Sequence, residues 1–217
     1  MFEHTSAGAE QNTYGADAKE RVGFFTDTTL CIGCKACEVA CKEWNDLPVE
    51  EYAFAGQSYD NTGALGATTW RHVAFIEQRT PAGSTRWLME SDVCKHCTHA
   101  ACLDVCPTGA IVRSEFGTVV IQDDICNGCA YCVSACPYGV VAKSENDAGG
   151  GAGKCTMCYD RLKIGQEPAC AKTCPTDSIQ FGNLDELRER AQARLQQVQG
   201  SYEGARLYGN DPNDGVG

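Results

Sequence analysis

Short β-prone runs recur along the chain just before and just after tight cysteine loops. "RVGFFTD", "RWLMESDV" and "GTVVIQDDI" each lead toward a cysteine, and "GAIV", "GVV" and "SIQ" follow shortly after a Cys-Pro pair. The pattern predicts a repeated unit: strand, tight loop, short helical turn ending in Cys-Pro, then strand. A further alternating run, "TTWRHVAFIEQ", predicts a strand between turn signals at "DNTG" and "TPAG". The segment "NLDELRERAQARLQQVQG" has helical periodicity instead. Leu184, Leu187, Ala191, Leu195 and Val198 fall on one face, Asn183 and Glu186 form a capping box, and Gly200 ends the helix. "NDAGGGAGK" reads as a flexible connector, because no flanking strand–helix pattern makes it a phosphate-binding loop.

The periodic elements are short, and apolar content is thin once cysteine is set aside. The 43% hydrophobic fraction of the 217 residues includes 16 cysteines. Small lobes with thin cores depend on disulfides or metals. The N-terminal stretch "MFEHTSAGAEQNTYGADAKER" has neither the basic start nor the apolar run of a signal peptide. A chain without its own export signal meets a reducing compartment first, which favours metal over structural disulfides. The net charge of −11 argues against nucleic acid as a partner. No stretch approaches the roughly 18 apolar residues of a membrane span.

The cysteines fall into four knots. Knot one is Cys31, Cys34, Cys37 and Cys41; knot three, Cys126, Cys129, Cys132 and Cys136, repeats its spacing. Knot two, Cys94, Cys97, Cys102 and Cys106, widens the middle gap to four residues, and knot four, Cys155, Cys158, Cys170 and Cys174, widens it to eleven. All four begin C-x-x-C and end C-x-x-x-C, an internal repeat with a variable middle. Knot one alone lacks the closing proline, because Lys42 follows Cys41.

A 4Fe-4S cube needs a soft thiolate on each of four irons, and C-x-x-C-x-x-C wraps three corners with one tight loop. The fourth cysteine, carried away by the helical turn before proline, serves the neighbouring cluster in two-cluster ferredoxins. Zinc sites use C-x-x-C in pairs with longer gaps, so three cysteines at two-residue gaps overcrowd a zinc ion. Sixteen ligands divide into four [4Fe-4S] clusters with none left for nucleophilic catalysis. No carboxylate pair, Ser-His-Asp set or dinucleotide fingerprint points to bond-making chemistry. Lys35, Lys95 and Lys154 sit beside ligands and are either solvated or placed to raise a cluster's potential. His96 and His99 lie between knot-two cysteines and are read as hydrogen-bond donors rather than ligands. Trp44, Trp70 and Trp87 are read as packing or interface residues, and Tyr52 and Tyr59 accompany them in the segment between knots one and two.

With these residues in view, the chain resembles the four-cluster iron–sulfur subunits of molybdenum or tungsten bis-pterin oxidoreductases. "TLCIGCKACEVACKEWND", "IGQEPACAKTCPTDSI" and "GARLYGNDPNDGVG" are similar to the formate dehydrogenase beta-subunit branch, and the likeness runs from about residue 22 to the end. The resemblance implies an α+β fold of two bacterial-ferredoxin-like dicluster lobes, one inserted in the other. The first lobe would comprise 22–41 and 143–182, and the second 87–142. Residues 1–21 would be an N-terminal extension, 42–86 a loop-rich insertion, and 183–217 a C-terminal helix and tail.

The resemblance also implies crossed ligation. Cys31, Cys34, Cys37 and Cys174 would hold one cluster; Cys155, Cys158, Cys170 and Cys41 a second; Cys94, Cys97, Cys102 and Cys136 a third; Cys126, Cys129, Cys132 and Cys106 a fourth. The first of these would lie nearest a molybdenum- or tungsten-pterin catalytic subunit that oxidises formate. Electrons would leave toward a membrane cytochrome subunit or a soluble carrier. The same wire run in reverse would feed a sulfoxide, nitrate or polysulfide reductase, and a free ferredoxin-like carrier is a third class. The hydrophobic C-terminal helix of membrane-anchored members is not seen in this sequence, which suits a soluble branch or a truncated chain. Two compartments fit: the cytoplasm, or export alongside a partner bearing a twin-arginine signal.

Overall fold

The computed structural model describes residues 19–49, 56, 60–81, 83–143, 150–202 and 204–209. Tyr52 and Tyr59, most of the N-terminal extension and the end of the tail lie outside them. Among the described residues, eight strands make four separate two-stranded antiparallel sheets. β1 (Val22–Thr26) pairs with β8 (Ile179–Asn183), so the run before knot one lies against the run after knot four. β4 (Ile111–Arg113) and β5 (Val119–Ile121) form a hairpin between knots two and three, turning at Gly117. The longest ladder joins β2 (Arg71–Arg79) to β3 (Thr85–Val93), the latter leading directly into Cys94.

Three short helices each close a cysteine loop. α2 (Ala101–Asp104), α3 (Tyr131–Ala135) and α5 (Ala169–Lys172) each stop before a Cys-Pro pair. Proline offers no amide to extend a helix and biases the residue before it toward extended backbone. α1 (Ala36–Trp44) runs past Cys41, where Lys42 replaces proline, and ends near Asn45 and the left-handed Asp46. α1 packs on α5, and α2 packs on α3. α4 (Tyr159–Lys163) fills the wide middle of knot four.

α6 (Leu184–Val198) is the predicted amphipathic helix. Asn183 Oδ1 accepts from the amides of Asp185 and Glu186 at 2.9 and 3.4 Å, and Leu184, Leu187, Ala191 and Val198 are buried. Its face covers β1 and β8, and Arg194 reaches Asp27 at 2.7 Å.

Two expectations shift. After Cys136 the run "GVV" is buried at Val140 and Val141, but the strand itself, β6, is Ala142–Lys143. The described end of the glycine connector is also built structure: β7 (Ala152–Gly153) pairs with β6. A Cβ at Gly153 would stand 2.8 Å from the Ala67 carbonyl, so only glycine permits this approach.

Candidate metal centres

Each knot uses the same backbone device. The residue two places after the first cysteine is left-handed in all four: Gly33, His96, Gly128 and Met157. That conformation curls the loop so that successive cysteines face inward. Glycine adopts it freely, whereas His96 and Met157 hold it while nearly fully buried. Three residues beyond the last cysteine, Gly109, Gly139 and Asp177 are left-handed in the same way.

The folded chain brings together cysteines from different knots. Cys94, Cys97, Cys102 and Cys136 line one cavity with Lys95, His96 and Tyr138. Cys31, Cys34, Cys37 and Cys174 line a second with Val73 and Ser91. Cys41, Cys155, Cys158 and Cys170 are all buried. Burial, then the charges of Cys170, Cys158 and Cys37, pushes the Cys41 thiol up to about 12 despite the opposing charge of Arg71. Cys132 is raised by burial and then by its neighbours Cys126, Cys129 and Cys106.

Two of the cysteines before proline, Cys106 and Cys174, have an opposite balance. At Cys106, burial pushes the pKa up, but the Thr108 hydroxyl and the amides of Ile111, Thr108 and Ala110 outweigh it and leave the thiol below its ordinary value. At Cys174, burial is likewise outweighed by the amides of Ile179, Thr176 and Ser178 and by the Thr176 hydroxyl. The donors occupy the same offsets in both knots, because the Cys-Pro turn aims its amides back at the sulfur.

Cations surround the thiols. Lys154 is buried, donating to the carbonyls of Val119 and Cys155, the latter at 3.0 Å. Lys35 is instead paired with Glu38 and Asp60 at 2.9 and 2.8 Å, and Lys95 with Asp92. Arg71 and Ser91 carry no signal in the sequence that marks them as neighbours of the thiols. Arg71 is 1% exposed, donates to Ser91 Oγ at 2.9 Å, and leaves Nε and Nη2 without a hydrogen-bond partner among the described residues. His96 accepts the Val119 amide on Nδ1 at 3.0 Å, and burial, then the charges of Lys154, Arg113 and Arg21, holds its pKa well below the ordinary value. The neutral ring then carries its proton on Nε2, which is buried without a partner among the described residues. Trp44 and Trp87 are exposed; Trp44 donates to Asp160 at 2.8 Å, and Trp70 donates to the Ala67 carbonyl at 2.7 Å.

All sixteen cysteines are free of disulfides. Among the described residues no three His, Cys, Asp or Glu side chains close on a single ion. Thiols spread round a cavity, with amides aimed at sulfur and orphaned buried cationic donors, fit a multi-iron cube rather than zinc. These features define a ferredoxin-type iron–sulfur protein.

Residues 30–110 and 85–184 each match a 4Fe-4S dicluster domain family, and together they span all sixteen cysteines. The chain is 41% identical over 194 residues to the nitrate-inducible formate dehydrogenase iron–sulfur subunit of Escherichia coli K12, covering 88% of this chain and 65% of that relative. It is 41% identical over 203 residues to the formate dehydrogenase iron–sulfur subunit of Haemophilus influenzae, covering 93% and 63%. It is 39% identical over 173 residues to the B subunit of the anaerobic dimethyl sulfoxide reductase of E. coli K12, covering 77% and 76%. The chain belongs to the family of 4Fe-4S dicluster iron–sulfur subunits that these relatives represent. It carries four 4Fe-4S clusters, whose chemistry is one-electron transfer. It spans about 65% of the length of the E. coli formate dehydrogenase subunit.

Proposed function

We propose that this chain is the electron-relay subunit of a formate-oxidising complex, passing electrons singly from a pterin-containing catalytic partner to an acceptor. The bound clusters supply the one-electron states; the chain supplies their spacing, burial and electrostatic setting. Each cluster is held by the crossed set expected from the resemblance, and two cavities ringed by cysteines of different knots support that grouping. The reading of one lobe (22–41 with 143–182) enclosing another (87–142) rests on the β1–β8 pairing and on the α1–α5 and α2–α3 packing.

The observation that carries the relay is the gradient of exposure along the thiol sets. Cys34 in the first set and Cys129 in the last are exposed, whereas the Cys155 set is wholly buried. Cys155 feels the charges of Cys41, Cys94 and Cys170, which supports a position for its set between the Cys31 and Cys94 sets. The order is therefore the Cys31, Cys155, Cys94 and Cys126 sets, with an exposed thiol in each end set and none in the two between. Exposed Ile32 and Val39 flank the first end, and Ile125 and Tyr131 flank the other. Apolar side chains around an exposed ligand suit docking faces for the catalytic partner and for the acceptor.

Anaerobic purification of the chain with its partners tests this. The expected result is about sixteen irons per chain and appearance of reduced-cluster electron paramagnetic resonance signals on adding formate. Reoxidation by dimethyl sulfoxide, with no response to formate, would assign the complex to the reductase branch. A zinc-loaded chain would overturn the relay altogether.

A further inference from the structure

Arg71 has the physical signature of a group whose partner is anionic and not part of the polypeptide. It enters at the start of β2, from outside every cysteine knot, and is fully buried. One nitrogen donates to Ser91 Oγ at 2.9 Å, and that oxygen lies 3.6 Å from Cys37 Sγ. Its guanidinium carbon sits 4.8 Å from the centre of the Phe24 ring, which shields it from water. Among the described residues no carboxylate is paired with it, and Nε and Nη2 have no hydrogen-bond partner. An isolated buried guanidinium is destabilising unless negative charge lies nearby. Burial opposes its charged form, yet the thiols of Cys170, Cys37, Cys155 and Cys41 reverse that balance. Cys37 belongs to one proposed set, and the other three belong to the next.

We propose that Arg71 is a fixed positive charge shared by the Cys31 and Cys155 sets, which raises the reduction potentials of both clusters relative to the Cys94 and Cys126 pair. This rests on the crossed ligand sets proposed above. Reduction adds one electron to a cluster with no bond made or broken, and an unmoving cation nearby favours the more negative state. Ser91 positions the guanidinium and links it to the Cys37 sulfur. The effect acts on two neighbouring sites at once, so it moves both potentials in the same direction.

The test is a redox titration of the cluster-loaded complex, followed by electron paramagnetic resonance, on wild type, Arg71→Gln and Arg71→Lys. Signals are assigned with Cys34→Ser and Cys158→Ser. In Arg71→Gln the reduced-to-oxidised ratio of the two assigned clusters falls about tenfold at fixed ambient potential, a shift of about 59 mV for a one-electron couple. Arg71→Lys restores most of it, and the other two clusters do not move. Loss of about half the iron in Arg71→Gln with full iron in Arg71→Lys supports the same charge requirement. Unchanged potentials, an equal shift of all four clusters, or Arg71→Lys behaving as Arg71→Gln would overturn the proposal. Wild-type iron well short of about sixteen, or signals whose Cys→Ser assignment contradicts the crossed sets, would instead overturn the underlying grouping.

Discussion

An alanine at Gly33 would bring its Cβ to 2.7 Å from Phe75 and 2.9 Å from Met89, in a backbone at φ 66°. At Gly109, with φ 68°, the same substitution meets no atom within 4 Å. The pair separates two costs. Gly109→Ala should lose about 1–2 kcal/mol, the left-handed penalty alone. Gly33→Ala should lose roughly 3 kcal/mol, because crowding against the β2–β3 hairpin adds to it. Unfolding of the two cluster-loaded variants side by side checks the difference, and equal losses would show that Phe75 and Met89 yield without cost. At this scale the tight cysteine loops were legible from spacing, since C-x-x-C leaves room for only one sharp turn. Arg71 was not. In "TTWRHVAFIEQ" it occupies what looks like an ordinary polar position, yet Arg71, His72 and Val73 are consecutively buried. Strand alternation fails there because residues distant in sequence cover both faces: Phe24 lies against Arg71, and Glu38 and Asp60 lie against His72.

The elements follow local rules where those rules close within a few residues. Asn183 caps α6 because its side chain reaches two amides of the first turn, and Asn183→Ala should cost about 1 kcal/mol in unfolding free energy. Asn183→Asp should keep most of that stability, since a carboxylate accepts the same amides and favours a helix start. Equal loss in both variants would show that the contact to Glu20 at 2.9 Å matters more than the cap. Helix α6, the flanking runs β1, β3, β5 and β8, and the Cys-Pro turns were readable because periodicity and proline act locally. The β6–β7 pair was not readable. Two-residue strands carry no period, and β7 lies in a glycine-rich run whose composition resembles a linker. What fixes β7 is the close approach of Gly153 to the Ala67 carbonyl, a contact from far along the chain.

Across the molecule, carboxylates join the cysteine loops to what surrounds them. Asp27, which accepts from Thr29 and from Arg194 of α6, has a lowered pKa although its burial acts the other way. Glu38 is likewise lowered against its burial, by His72, the Val73 amide and Lys35, joining α1 to β2. Carboxylates with depressed folded pKa values contribute stability above their unfolded values, 3.8 and 4.5, and lose it as pH falls through the lower folded values. Denaturant unfolding at pH 7 and near pH 3.5 should therefore show a smaller acid loss in Glu38→Gln than in wild type. An identical loss would remove Glu38 from the acid response. The pairing of β1 with β8 also carries a temporal consequence. Translation delivers β4 and β5 together, whereas β1 must wait until β8, far along the chain, has left the ribosome. The hairpin can close early, and the outer ladder, which has the greater loop entropy, closes last. On the proposed crossed ligation, maturation then runs from the inside outward, and the two clusters that draw on knot four are completed last.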